Sequence, residues 1–225
     1  MTNFVLVHGA WGGGSSYDRL ARELRERGHT VLVAQLAGLG TRRDGLNPAI
    51  DLSTHVRDVI GQVEAAGIDR FVLCGHSYGG MVITGVATRL GARIDALCYI
   101  DAFLPGDGQS LWDITGDYEH RWYVDTQKDT PGLVAPIGGV ELLKNPRYGR
   151  HPLLTLLEPV RFTGEEAKVP RRTYIFATGW QPSPFPRFRD AVNGDPAWQL
   201  HEVGGGHDVM ADQGERLLEI VLDLA

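Results

Sequence analysis

The feature that most constrains this chain is the pentapeptide GHSYG at residues 75–79, which lies between a strand pattern and a helix pattern. Residues 71–74 form a short apolar run typical of a buried strand, and residues 81–87 have the composition of a helix. A strand that turns sharply into a helix exposes one serine hydroxyl above the sheet, and flanking glycines leave room for the turn. The pattern predicts that Ser77 is a nucleophile. The alternative is a glycine-rich turn that only packs a helix on a strand.

Five further apolar runs alternate with amphipathic helix patterns along the chain. Together with residues 71–74, the strand-like runs cover residues 4–7, 30–34, 96–100, 173–177 and 198–203. Strands that alternate with helices favour parallel pairing, with helices covering both faces of the sheet. We therefore predict an α/β fold with a doubly wound, mainly parallel sheet of six strands.

One long stretch interrupts this alternation. Residues 105–170 are rich in Pro, Gly and Trp, show little periodicity, and are too long for a plain loop in a compact domain. We predict a core formed by residues 1–104 and 171–225, with residues 105–170 inserted as a lid of short helices. Its larger apolar side chains either line a substrate pocket or form a small core within the lid, and the sequence leaves both alternatives open. The side chains in question are Leu111, Trp112, Tyr118, Trp122 and Tyr123.

Composition excludes several classes of function. The chain has 225 residues and a net charge of -6 without blocks of like charge, which argues against nucleic acid and anionic membranes as partners. No apolar run approaches the roughly 20 residues that span a bilayer, and the N-terminus lacks a signal-peptide pattern. Cys74 and Cys98 fall in predicted buried strands, so we expect reduced thiols and a cytoplasmic location. A serine-based reaction requires no cofactor and the sequence has no metal-ligand cluster, so we expect neither a metal nor an organic cofactor. We expect a monomer or a homodimer.

A serine nucleophile needs a base, and the chain order of the catalytic groups places that base after the last strand. His207 follows the glycines 204–206 there, and we predict it as the base. The backbone N–H groups of Ala10, after the first strand, and of Tyr78 are predicted to form an oxyanion hole. His8 and His201 are expected to be structural. Four further histidines are expected at the surface or in the lid, namely His29, His55, His120 and His151.

These motifs resemble those of the α/β-hydrolase superfamily. HGAW at residues 8–11, GHSYGG at residues 75–80 and GH at residues 206–207 carry the resemblance, which covers nearly the whole chain. More narrowly, the chain resembles the compact branch that holds plant hydroxynitrile lyases, methyl-salicylate-type esterases and bacterial relatives. The resemblance implies the fold and a serine-based reaction, but not a particular substrate.

The third member of the expected triad departs from this branch. The branch usually carries an aspartate just after the fifth strand, where this chain has Gln181. Asp101, at the end of the fourth strand, is our preferred substitute, since some α/β-hydrolases take the acid from that strand end. A cap for the first turn of the lid is the structural alternative for Asp101. Asp190 is a second candidate, although a surface salt bridge explains it more simply.

The predicted reaction is cleavage of a small, largely apolar ester through an acyl-enzyme. We expect Trp11, Trp112, Trp122 and Trp180 to contact the substrate. The lyases of the branch carry a threonine and a lysine where this chain has Gly9 and Asp208, and an aspartate would repel cyanide, so lyase activity is not expected. A ligand sensor on the same fold and a lactone or thioester hydrolase are the alternatives left open.

Overall fold

The computed structural model describes all residues from 1 to 225. Six strands form one sheet in the order β2-β1-β3-β4-β7-β8, and every neighbouring pair is parallel. This agrees with the predicted α/β fold and its six-stranded parallel sheet. The strands are β1 (Asn3–Val7), β2 (Thr30–Ala34), β3 (Phe71–Ser77), β4 (Ile94–Ala102), β7 (Arg172–Ala177) and β8 (Trp198–Val203).

The central strands are apolar on both faces because helices cover both sides of the sheet. In β1, Val5 and Val7 pack into one apolar layer, whereas Phe4 and Leu6 pack into the opposite one. All seven residues of β3 are buried. This burial explains why the strands appear in the sequence as continuous apolar runs rather than as alternating patterns.

The helices divide between the two faces. The layer that contains Phe4 packs against α1 and the C-terminal helices, and the layer that contains Val5 packs against α2, α3 and α6. The helices of these layers are α1 (Asp18–Glu26), α2 (Leu52–Ala65), α3 (Gly79–Leu90), α6 (Pro186–Val192), α7 (Val209–Asp212) and α8 (Gly214–Leu222). None of these helices, nor any other in the chain, combines the length and apolar character that crossing a membrane requires.

Residues 105–170 lie between β4 and β7, and we call them the inserted segment. They contain short helices, 3-10 turns and one antiparallel strand pair, and the sequence analysis had indicated only the short helices. The elements are α4 (Asp117–Asp125), β5 (Leu133–Val134), β6 (His151–Pro152) and α5 (Leu154–Leu157). Buried side chains such as Ile114, Tyr123 and Leu156 join the layer of α2 and α3. The inserted segment therefore lies on the α2 and α3 side of the sheet.

Candidate active site

Ser77 stands at the sharp turn between β3 and α3. Its backbone φ of 55° lies in the left-handed region, which is strained for a residue with a Cβ atom. The neighbouring glycines have no space for a side chain, because a Cβ atom on Gly75 would lie 2.7 Å from the carbonyl oxygen of Gly79. A Cβ atom on Gly79 would lie 2.6 Å from the carbonyl oxygen of Val7. Close approach of the backbone around the serine thus requires glycine at positions 75 and 79.

Asp101 is the extra residue of a bulge in β4. Along β3, His76 lies opposite Ile100 and Ser77 lies opposite Ala102, so Asp101 has no partner in the register. Its φ is 39°, and its carboxylate is fully buried. Bulges of this kind redirect a side chain at the end of a strand. The N–H of Ala177, at the end of β7, donates to Asp101 Oδ1 at 3.1 Å.

The imidazole of His207 meets this carboxylate from the loop after β8. His207 Nδ1 and Asp101 Oδ2 are 2.7 Å apart, so the protonated Nδ1 donates to the carboxylate. The rings of Trp180 and Phe185 lie 4.4 Å and 5.1 Å from the imidazole, measured between ring centroids. His76 holds the backbone of the same loop, since its Nε2–H donates to the carbonyl oxygen of His207 at 2.8 Å.

Burial sets the protonation of this pair. It lowers the pKa of His207 to about 4, so the imidazole is neutral at neutral pH. Burial raises the pKa of Asp101, and the hydrogen bond from Ala177 acts against that shift. With Nδ1 bonded to Asp101, the neutral ring keeps an unprotonated Nε2. His207 is therefore in the form that accepts a proton.

Two backbone N–H groups near Ser77 have no backbone acceptor in the protein, and they belong to Ala10 and Tyr78. Ala10 lies in the loop after β1, and Tyr78 lies at the start of α3. The Nδ1–H of His8 donates to the carbonyl oxygen of Gly9 at 2.8 Å, a contact that stabilises the loop after β1. This is consistent with the structural role expected for His8, although its buried Nε2 has no partner.

A cavity of about 860 Å³ lies between the strand ends and the inserted segment. Its lining brings together most of the predicted site residues, namely Ala10, Trp11, Ser77, Tyr78, Trp180 and His207. The inserted segment contributes mainly apolar side chains, among them Leu111, Ile114, Tyr123, Ile137 and Leu156. The geometry thus combines a serine, a neutral imidazole and an apolar chamber.

Two tryptophans expected at the substrate do not line this cavity. Trp112 stacks on His120 with 3.8 Å between ring centroids. Trp122 donates its indole N–H to the carbonyl oxygen of Ala135 at 2.9 Å. Both side chains pack within the inserted segment, so the alternative of a small core in that segment describes them.

The other two positions considered for the acid make no hydrogen bond to His207. Asp190 is exposed and pairs with Arg189 at 2.7 Å, the surface salt bridge that its sequence context indicated. Gln181 is also exposed. The carboxylate that reaches the imidazole is that of Asp101.

Comparison with known proteins identifies the family. Residues 4–220 match the sequence pattern of the alpha/beta hydrolase family. The chain belongs to this family. A "Carbendazim hydrolyzing esterase" from Nocardioides sp. (strain SG-4G) is 40% identical, and the match covers 97% of this chain and 98% of that protein. "Salicylic acid-binding protein 2" from Nicotiana tabacum is 26% identical, with 99% of this chain and 96% of that protein covered.

A solved structure shows the same fold. The extracellular alpha/beta-hydrolase from a Paenibacillus species superimposes with a TM-score of 0.82 and 21% identity, over 100% of this chain and 99% of that chain. The resemblance to the esterase branch and the prediction of an ester-hydrolysing enzyme are confirmed by these comparisons.

The structure of this hydrolase also shows residues whose roles the sequence analysis missed. His55 was expected at the surface or in the lid, and this is wrong, since it is fully buried on α2. Its Nε2–H donates to the carbonyl oxygen of Ala37, and its Nδ1 lies 2.9 Å from the hydroxyl of Tyr78. A signal was present in the sequence, because His55 precedes Val59 by four residues and shares its buried helix face.

His76 and His151 gave no comparable signal. The contact of His76 with His207 joins residues 131 positions apart. His151 lies in the inserted segment, as expected, but it is fully buried. Only the folded chain shows what these two rings contact.

Proposed function

We propose that this hydrolase is a serine carboxylesterase that cleaves small, largely apolar esters, with Ser77 as nucleophile, His207 as base and Asp101 as acid. The observation that carries the proposal is the 2.7 Å hydrogen bond between His207 Nδ1 and Asp101 Oδ2. It fixes the tautomer that leaves Nε2 free to accept the serine proton. The ester-hydrolysing relatives support the same class of reaction.

The reaction proceeds through an acyl-enzyme. Ser77 Oγ attacks the ester carbonyl while its proton passes to His207 Nε2, and the N–H groups of Ala10 and Tyr78 donate to the oxyanion. The imidazolium then protonates the leaving alcohol, and the C–O bond to that alcohol breaks. Water then attacks the acyl carbon as its proton passes to His207 Nε2, the bond between that carbon and Ser77 Oγ breaks, and the imidazolium returns the proton to Oγ, which releases the carboxylic acid and free Ser77. Asp101 stays ionised and stabilises the imidazolium in both halves.

The inserted segment acts as a lid that shapes the substrate chamber. Its apolar side chains form the wall opposite the strand ends, so a substrate there loses contact with bulk water. A chamber of about 860 Å³ is large enough for an ester with one or two rings. The name of the Nocardioides relative makes carbendazim a suitable test substrate.

The loop after β1 disfavours cyanohydrin lyase chemistry. A Cβ atom on Gly9 would lie 3.0 Å from Ser77 Cβ and 3.2 Å from His76 Nδ1, so the side chain that the lyases carry has little space. Asp208 lines the cavity next to His207, where its negative charge repels cyanide.

The deciding experiment measures hydrolysis of p-nitrophenyl acetate and of carbendazim by the wild type, Ser77→Ala and Ser15→Ala. Ser15 is exposed and lies outside the cavity lining, so it is the matched control. We expect activity in the wild type and in Ser15→Ala, and none above background in Ser77→Ala. Equal turnover in Ser77→Ala contradicts the serine mechanism. Saturable ligand binding without turnover by the wild type favours the ligand-sensor alternative.

We also propose a cytoplasmic location and a monomeric or homodimeric state. Both cysteines are buried and free, which fits a reducing compartment. Cell fractionation and light scattering test these two points, and higher oligomers or a secreted product would contradict them.

A further inference from the structure

We propose that His151, in the inserted segment, is a positioning residue for the oxyanion hole, because it holds Trp11, the neighbour of Ala10, through an acceptor nitrogen. The inference rests on the proposed function, since it assigns a task to the same site. His151 does not line the cavity and so does not touch the substrate. It acts through the loop after β1.

Trp11 is bonded to the inserted segment at three points. Its backbone N–H donates to His151 Nδ1 at 3.5 Å, and its carbonyl oxygen accepts from the N–H of Gly149 at 2.8 Å. Its indole N–H donates to the carbonyl oxygen of Val134 at 3.1 Å. These partners lie at or near the strand pair β5 and β6, so the inserted segment stabilises the conformation of the loop after β1.

The hydrogen bonds of His151 define its tautomer. Thr155 Oγ1 donates its single proton to the carbonyl oxygen of Pro152 at 2.7 Å. It therefore accepts from His151 Nε2–H, which lies 2.7 Å away. The proton of the neutral ring is then on Nε2, and Nδ1 is an acceptor directed at the N–H of Trp11. Burial lowers the pKa of His151 well below its usual value, so the neutral ring persists.

The same ring also contacts the second half of the oxyanion hole. His151 packs edge-on against Tyr78, with 4.8 Å between ring centroids. The hydroxyl group of Tyr78 is held by His55. Because Nε2–H of His55 donates to the carbonyl oxygen of Ala37, its Nδ1 is unprotonated and accepts a hydrogen bond from the Tyr78 hydroxyl. His151 thus contacts Tyr78, which carries one of the two proposed oxyanion donors. It also contacts Trp11, which follows Ala10, the residue that carries the other donor.

Trp11 needs this support because its backbone is strained. Its φ of 60° lies in the left-handed region, which costs on the order of 1 kcal/mol or more for a residue with a Cβ atom. Without the acceptor at His151, the peptide between Ala10 and Trp11 rotates, and this rotation changes the backbone of Ala10 so that its own N–H, in the preceding peptide, turns away from the oxyanion. That charge develops only in the transition state, so the loss falls on kcat rather than on KM.

The test compares His151→Phe, His151→Asn and His151→Gln. Phenylalanine keeps a ring and removes the acceptor, the amide of asparagine replaces Nδ1, and that of glutamine replaces Nε2. We expect His151→Phe and His151→Gln to lower kcat by roughly 10- to 100-fold with KM within about twofold, and His151→Asn to recover at least tenfold of that loss. His120→Phe is the matched control, because His120 stacks on Trp112 outside the cavity lining.

A second readout isolates the oxyanion. A trifluoromethyl ketone forms a tetrahedral adduct with the serine, whereas the corresponding methyl ketone reports ordinary binding. We expect His151→Gln to weaken the first inhibitor at least tenfold more than the second. Equal kcat in His151→Asn and His151→Gln, a loss confined to KM, or equal weakening of both inhibitors overturns the proposal. The asparagine and glutamine pair decides the matter even where His151→Phe fails to fold.

Failure of this proposal is distinct from failure of the proposed function. Inactive Ser77→Ala together with unaffected His151 variants removes only the positioning role. Full activity in Ser77→Ala removes the serine mechanism, and the positioning role with it.

Discussion

Ser77, Asp101 and His207 stand at or just after the ends of parallel strands, whereas the wall opposite them comes from the inserted segment. In the first region, backbone geometry positions the groups proposed to react, with positive φ at Ser77 and at Asp101. In the second region, backbone carbonyl oxygens accept hydrogen bonds from indole side chains, as Ala135 does from Trp122 and Val134 does from Trp11 of the loop after β1. The two regions meet at Trp11.

The largest expected effect lies at the strand ends. Asp101→Asn keeps the shape of the side chain and removes the charge that selects the tautomer of His207, so we expect kcat/KM to fall by about 10⁴. Asp190→Asn is the control, since that carboxylate only makes an exposed ion pair. Ester hydrolysis and circular dichroism check both variants. A loss below tenfold in Asp101→Asn takes this residue out of the triad.

A pair of tryptophans tests where the boundary of the chamber lies. Trp180 lines the cavity and packs on His207, whereas Trp112 stacks on His120 away from it. We expect Trp180→Leu to lower kcat/KM roughly tenfold, because the imidazole loses a wall that fixes its orientation. Trp112→Leu is expected to leave kcat/KM within about twofold. The reverse order in steady-state kinetics would contradict the division between the two regions.

Within the inserted segment, the expected effect is on stability. Trp122→Phe leaves the buried carbonyl oxygen of Ala135 without its partner, which costs about 1 to 3 kcal/mol of unfolding free energy. For a chain of this length, each kcal/mol lowers Tm by roughly 2–4 °C. Calorimetry measures the change, and unchanged kcat/KM accompanies it. A loss of activity without a loss of stability would place Trp122 in the site.

The smallest expected effect is a pH dependence weaker than that of an ordinary histidine. Burial lowers the pKa of His207, so the neutral base persists as pH falls and is lost only at the lowered pKa. At pH 6.0 an imidazole of ordinary pKa is roughly three-quarters protonated. We expect protonation of His207 itself to lower kcat/KM less than about twofold between pH 8 and pH 6.0, whereas burial raises the pKa of Asp101 to about 7, so any larger fall in this range belongs to that carboxylate. An NMR titration of the His207 imidazole centred at or above pH 6.5 would contradict the shift.

Melting curves over the same range separate this effect from unfolding. His8, His55, His76 and His151 are buried with lowered pKa values, so the unfolded chain binds more protons below pH 6.5. The unfolding free energy therefore decreases as pH falls through that range. Initial rates are taken where the melting curve shows a folded protein.

Local pattern was sufficient for the strand-end region. The strands, the turn at Ser77 and the loop with His207 follow from apolar runs and glycine spacing, and both the fold and the ester-hydrolysing class are confirmed. The roles of Ser77, His207 and Asp101 stay predictions, and kinetics will test them. The bulge that directs Asp101 was outside the reach of sequence analysis, because it depends on the register between β3 and β4.

The inserted segment was predictable in outline only. Its length and composition indicated short helices, but the same aromatic content fits a pocket wall or a small core equally well. The choice depends on tertiary contacts, such as that of Trp112 with His120. The burial of His151 depends on partners more than 100 positions away, including Trp11. No periodicity encodes such contacts.

The bulge in β4 has a consequence for how such sites diversify. One additional residue directs the Asp101 carboxylate toward His207 while the hydrogen-bonded ladder continues on either side. A single-codon insertion is among the smallest changes that a reading frame tolerates. Under the roles proposed for Ser77, His207 and Asp101, such an insertion moves the acid to a different strand while the nucleophile and the base remain in place. Protein engineers can relocate a carboxylate in the same way.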